Sequence, residues 1–98
     1  MNMREIQKMQ QKLLKMQEEL EATEFTGTAG GGAVTIAVTG KFEVTSVKID
    51  PEAFDPEDIS ELEAMVLAAA KDAFNKATAA QQKMVSSATG GMRLPGMF

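Results

Sequence analysis

The stretch VTIAVTGKFEVTSVKIDP at residues 34–51 decides the architecture. Val34, Ile36 and Val38 alternate with Thr35, Ala37 and Thr39, so an extended strand has one apolar and one polar face. Gly40-Lys41 supplies a turn. The next strand opens with Phe42 and Val44 on one phase and continues with Val47 and Ile49 on the other. Such a slip predicts either a β-bulge near Thr45-Ser46 or a strand buried on both faces. Asp50-Pro51 closes the sheet, because proline has no N–H for a ladder.

Upstream of this hairpin, the small, glycine-rich run Thr26 to Gly32 is either a loop or a flat edge strand whose glycines avoid a clash. Residues 1–24 contain no Gly, Pro or Val and read as a helix. Ile6, Met9, Leu13, Met16 and Leu20 are spaced 3, 4, 3, 4, the alternation of a heptad seam. That seam is too short for an isolated coiled coil and suits a helix packed along another helix. The competing reading is an ordinary amphipathic helix, with Leu14 widening the apolar stripe.

Downstream, Asp55 reads as an N-cap, with Pro56 at the first helical position and Glu57 and Asp58 in the first turn. No glycine or proline follows until Gly90-Gly91. At 1.5 Å per residue the predicted helix, roughly 33 residues long, extends about 50 Å. Ala64, Ala68, Ala69, Ala73, Ala77 and Ala80 make a small-residue surface that another helix can approach closely. The expected organisation is a single domain over residues 1–90 and a flexible tail over 91–98. The class is α+β, a small antiparallel meander between two long helices. Because the meander reverses direction, the second helix is expected to run back beside the first, bringing the start of one near the end of the other.

Composition excludes most chemistry. The 98 residues include no Cys, His, Trp or Tyr. There is no thiolate or imidazole for nucleophilic catalysis, no ordinary zinc ligand set and no disulfide. The longest strictly apolar run, Met65 to Ala70, is far short of a membrane span. Arg4, Glu5 and Lys8 interrupt the start too early for a secretory signal. Gly27 to Gly32 lacks the Gly-Lys-Ser/Thr ending of a phosphate loop and leads into a strand. Asp50 to Glu61 has the length and acidic ends of a calcium loop, but Phe54 and Asp55 occupy the positions wanted for an oxygen ligand and a glycine. Asp55 and Asp58 are a carboxylate pair with no cleft implied around them. A cytoplasmic protein that is not an enzyme is expected, with no cofactor, metal or small-molecule substrate.

The net charge of −4 conceals a division. Residues 1–16 carry Arg4, Lys8, Lys12 and Lys15 against Glu5, a net of +3. Residues 17–72 carry three bases against thirteen acids, a net of −10. Residues 73–98 carry Lys76, Lys83 and Arg93 and no acid, again +3. Arg4, Lys8 and Lys12 recur every four residues with Lys15 beside them, a basic stripe suited to phosphate contacts. The competing reading is a solvated helix face. With only five Phe as aromatics, a single-strand stacking platform is not expected.

Several segments together resemble the YbaB/EbfC family of nucleoid-associated DNA-binding proteins. They are Met9-Gln10-Gln11-Lys12 through Met16-Gln17-Glu18-Glu19-Leu20, Thr26-Gly27 with the run to Val34, Gly40, and Val47-Lys48-Ile49-Asp50-Pro51. Leu62-Glu63, Asp72-Ala73, Asn75 and the ending Gly91-Met92-Arg93-Leu94-Pro95-Gly96 complete the match over essentially the whole chain. The resemblance implies an α-β-β-β-α fold, a homodimer with projecting helices, and binding to double-stranded DNA in the bacterial nucleoid. It supplies no compact site motif. The candidate DNA-binding residues therefore rest on the basic ends: Arg4, Lys8, Lys12 and Lys15, with Lys76, Lys83 and Arg93. The rival function is a protein-interaction or chaperone-like helical module, in which projecting apolar seams and eight Met supply adaptable contact surface.

Overall fold

The computed structural model describes residues 2–88. The elements are α1 (Met3–Ala22), β1 (Glu24–Ala29), β2 (Val34–Thr39), β3 (Val44–Ile49) and α2 (Ile59–Ala88). Short 3-10 turns at Gly30–Gly32 and Pro51–Ala53 join β1 to β2 and follow β3. The sheet is an antiparallel meander in the order β1-β2-β3, as the alternation of residues 34–49 predicts. Of the two readings of Thr26 to Gly32, the edge strand holds through Ala29 and a turn for Gly30–Gly32.

The phase slip in β3 resolves as a bulge. Ala37 pairs with Ser46 but Val38 pairs with Val44, leaving Thr45 as the extra residue. Val44, Val47 and Ile49 consequently share the face of Val38, Ile36 and Val34. The alternative, a strand buried on both faces, is reversed: every residue of β3 is exposed. Phe42 is not its first residue. It sits in the preceding turn at φ 64°, where its N–H donates to the Thr39 carbonyl at 2.9 Å. Its ring stacks against Phe74 of α2, with centroids 6.1 Å apart.

The core is the contact of α2 with β1 and β2. Val34, Ile36 and Val38 pack against Ala69, Ala73 and Ala77 with Phe25, Leu62 and Val66 around them. The alanines at every fourth position are thus used against the sheet rather than against a second helix. Gly27 makes this approach possible. A Cβ there would collide with the main chain of Ala69 and Ala73, so only glycine lets the helix axis come so close. Asp55 does not cap α2; it accepts from Glu57 N–H at 2.9 Å and closes a separate turn. Asp58 takes the cap position, accepting from Glu61 N–H at 3.3 Å and Ser60 Oγ at 2.7 Å. The helix therefore starts later than Pro56 suggests, because the Asp55–Asp58 turn uses those residues first.

α1 begins at an Asn2 cap, whose Oδ1 accepts from Glu5 N–H at 2.9 Å. Among the described residues it is held at its other end. Gly40 N–H donates to the Thr23 carbonyl at 3.2 Å, and the Gly40 carbonyl accepts from Gln81 Nε2 at 3.0 Å. A side chain at Gly40 would strike the Leu20 carbonyl. From this joint α1 projects about 30 Å, by its 20 residues. The 65 × 26 × 16 Å extents follow, with a radius of gyration of 18.3 Å against about 13 Å for a compact chain of this size. The expected helix stop at Gly90-Gly91 and the tail over 91–98 lie outside the described residues.

Candidate nucleic-acid interface

α1 presents two surfaces at once. Arg4, Lys8, Lys12 and Lys15 are all exposed, and none forms an ion pair among the described residues. Beside them the heptad seam is open: Ile6, Met9 and Leu13 are exposed, and only Met16 and Leu20 near the joint are partly covered. Glu5 is the only acid among the first sixteen residues, so the outer part of α1 carries nearly unopposed positive charge.

The other expected cations fare differently. Lys76 Nζ donates to the Thr26 carbonyl at 2.8 Å and stands 3.4 Å from Asp72 Oδ2. It is engaged in holding α2 to β1. Lys83 is exposed two residues beyond Gln81, near the root of α1. Arg93 lies outside the described residues. α2 continues only about 10 Å past Gln81 to Ala88, while Arg4 stands about 24 Å out from Leu20 along α1. The start of α1 is therefore farther out than the described end of α2, and the two basic ends do not converge at one tip there.

Of the thirteen acids among residues 17–72, Glu18, Glu19, Glu21, Glu24 and Glu43 lie around the joint of α1 with the sheet. Asp50, Glu52, Asp55, Glu57, Asp58, Glu61 and Glu63 lie around the far end of the sheet, where Asp50 N–H donates to the Ala33 carbonyl at 2.9 Å. Charge is thus separated along the long axis, basic on the outer part of α1 and acidic from its joint to the opposite end. Such a field orients a polyanion toward α1 and away from the acidic pole. Sequence reasoning found the stripe but not the latch on Lys76, which links residues 50 positions apart. Asp72 completes that latch by accepting from Thr28 N–H at 3.1 Å. This hydrogen bond, followed by the Lys76 ammonium, holds the Asp72 carboxyl below the usual carboxylate range, against the opposing effect of desolvation.

Among the described residues no group of three or more carboxylates is arranged to hold a metal ion. No helix there is long and apolar enough to cross a membrane. A basic, projecting helix is the geometry of a binding surface.

A family model for the YbaB/EbfC DNA-binding family matches residues 1–92. The chain belongs to this family. The YbaB/EbfC chain is 44% identical to a nucleoid-associated protein of Clostridium novyi over 96 residues, covering 98% of this chain and 84% of the relative. A nucleoid-associated protein of Pelotomaculum thermopropionicum is also 44% identical over 96 residues, covering 98% and 91%. The fold is similar to the crystal structure of an uncharacterized protein from Helicobacter pylori, with a TM-score of 0.76 at 19% identity, covering 92% of this chain and 99% of that one. The family is one of DNA-binding proteins and not of enzymes.

Proposed function

We propose that this YbaB/EbfC protein is a homodimer that binds double-stranded DNA through the phosphate backbone, in the cytoplasm, as a component of the bacterial nucleoid. The observation that carries the DNA reading is the row Arg4, Lys8, Lys12 and Lys15, exposed, without ion pairs among the described residues, on a helix that stands clear of the sheet. Surface lysines at helical spacing meet phosphates without reading bases, so the binding is insensitive to sequence. The names of the relatives support the nucleoid role, and contacts of this kind suit organisation of the chromosome with effects on gene expression.

The dimer reading rests on β3. Its outer edge has no side-chain partner among the described residues, and Val44, Val47 and Ile49 are 53%, 50% and 42% exposed on one face. An edge strand that is both apolar and unpaired is a template for a second strand. A second copy of β3 fits it, because antiparallel pairing about a two-fold axis matches the same apolar residues to themselves. Two copies then present two basic α1 helices.

The test is a titration of duplex DNA at two salt concentrations. The logarithm of affinity should fall with the logarithm of salt, by about 0.9 per phosphate neutralised. Replacing Lys8, Lys12 and Lys15 with Glu should abolish binding while the mass and helix content stay unchanged. Binding that ignores salt, or survives this triple exchange, overturns the reading. The open seam at Ile6, Met9 and Leu13 favours a second reading, a module that holds protein clients between its helices. Recovery of proteins with the chain after nuclease treatment would support it.

A further inference from the structure

The opposite edge of the sheet is closed in a specific way. In an antiparallel ladder the N–H and C=O of one residue point to the same side. Thr26 and Thr28 of β1 face away from β2, as their bonds to α2 show: the Thr26 carbonyl accepts from Lys76 Nζ at 2.8 Å, and Thr28 N–H donates to Asp72 Oδ2 at 3.1 Å. An incoming strand bonds both groups of each outward residue. At the two central positions of β1, one of the two groups is already taken, and the side chains that take it overhang the edge. Asp72 and Lys76 are one helical turn apart and 3.4 Å from each other, so each holds the other in place.

We propose that the β1 edge is a strand-docking site for a second copy of this chain, kept shut by Asp72 and Lys76. The pair acts as an assembly stop: it leaves β3 as the pairing edge and prevents the sheet from growing at both sides. With β3 paired to β3 in a dimer and β1 open as well, each dimer would carry two free β1 edges, and copies would add without limit. The stop rests on the dimer reading only for the size at which growth ends; closure of β1 is a property of the single chain.

The experiment is sedimentation velocity of the full chain and its D72A/K76A variant over a range of concentrations, with helix content checked by circular dichroism. The variant should form species at least about twofold heavier than the wild type, increasing with concentration. Adding T26P should return the mass to that of the wild type, because proline removes the outward N–H at the centre of β1 without touching the ladder to β2. An unchanged mass in D72A/K76A, or heavier species that T26P does not remove, overturns the proposal. If the double variant loses helix content, the single exchange K76A decides by the same reading, since it frees the Thr26 carbonyl from an exposed side chain. The wild-type mass alone judges the dimer, and the mass of the variants relative to it judges the stop.

Discussion

Strands β1 and β3 flank the same central strand, each six residues long and antiparallel to it, but they meet the rest of the molecule differently. β1 places Gly27 under Ala69 and Ala73, so α2 settles above it and reaches its outer groups with Asp72 and Lys76. β3 offers Val44, Val47 and Ile49 on the same face, and they stay exposed. A helix about 10 Å across covers roughly two strands spaced about 4.8 Å apart. Once one glycine fixes the helix over β1 and β2, the third strand stays uncovered by the described residues. Sheet edges are thus specified by where the helix docks as much as by the strands themselves.

The largest expected effect comes from breaking the β1 side. Gly27→Val places a side chain into the main chain of α2, which has no flexible end to move aside. A loss of about 3 kcal/mol is expected, read from the midpoint of urea unfolding. On the β3 side, Val47→Lys alters a half-exposed position, so the single chain should fold. Self-association should weaken at least about 100-fold, because the charge has no partner in an apolar interface. Sedimentation equilibrium measures it, and an unchanged mass would place the interface elsewhere.

A smaller effect sharpens the contrast through pH. The folded Asp72 carboxyl is held below its ordinary value by Thr28 N–H and then by Lys76, so its contribution is complete above the unfolded value of about 3.9. It is lost as pH falls through the lower folded value. The amide resonance of Thr28 should therefore titrate below the usual carboxylate range, and should not titrate so in D72N, whereas the β3 amides should be indifferent to that exchange. The smallest effect is at Phe42, where α2 touches the turn before β3. Phe42→Ala should cost about 1 kcal/mol for the lost stack with Phe74. Phe42→Gly should recover about as much by relieving the positive φ. The difference between the two thermal midpoints measures that strain.

Most of the fold was legible where a local rule decides it. The alternation at Val34, Ile36 and Val38, the absence of breakers in both helices and the slip at Thr45 each follow from the geometry of a few neighbouring residues. The basic stripe was legible for the same reason, since four-residue spacing puts Arg4, Lys8 and Lys12 on one helix face. Asp55 and Pro56 misled because a turn and a helix start use the same residues, and the choice fell three positions later at Asp58. Phe42 misled because its strand-like phase says nothing of the left-handed turn it completes. Lys76 could not be sorted from the other cations, because its partners Thr26 and Asp72 become neighbours only after β1 lies beside α2.

By itself, then, the sequence determined the elements, their order, the charge map and the exclusion of thiol and imidazole chemistry, all of which depend on residue type and spacing along the chain. Only the tertiary structure decided which lysines remain available, which sheet edge is closed and how the acids divide between the joint of α1 and the far end of the sheet. Those outcomes depend on where a helix comes to rest on a sheet. That is fixed by a close approach at Gly27 between segments more than forty residues apart, which no local pattern encodes.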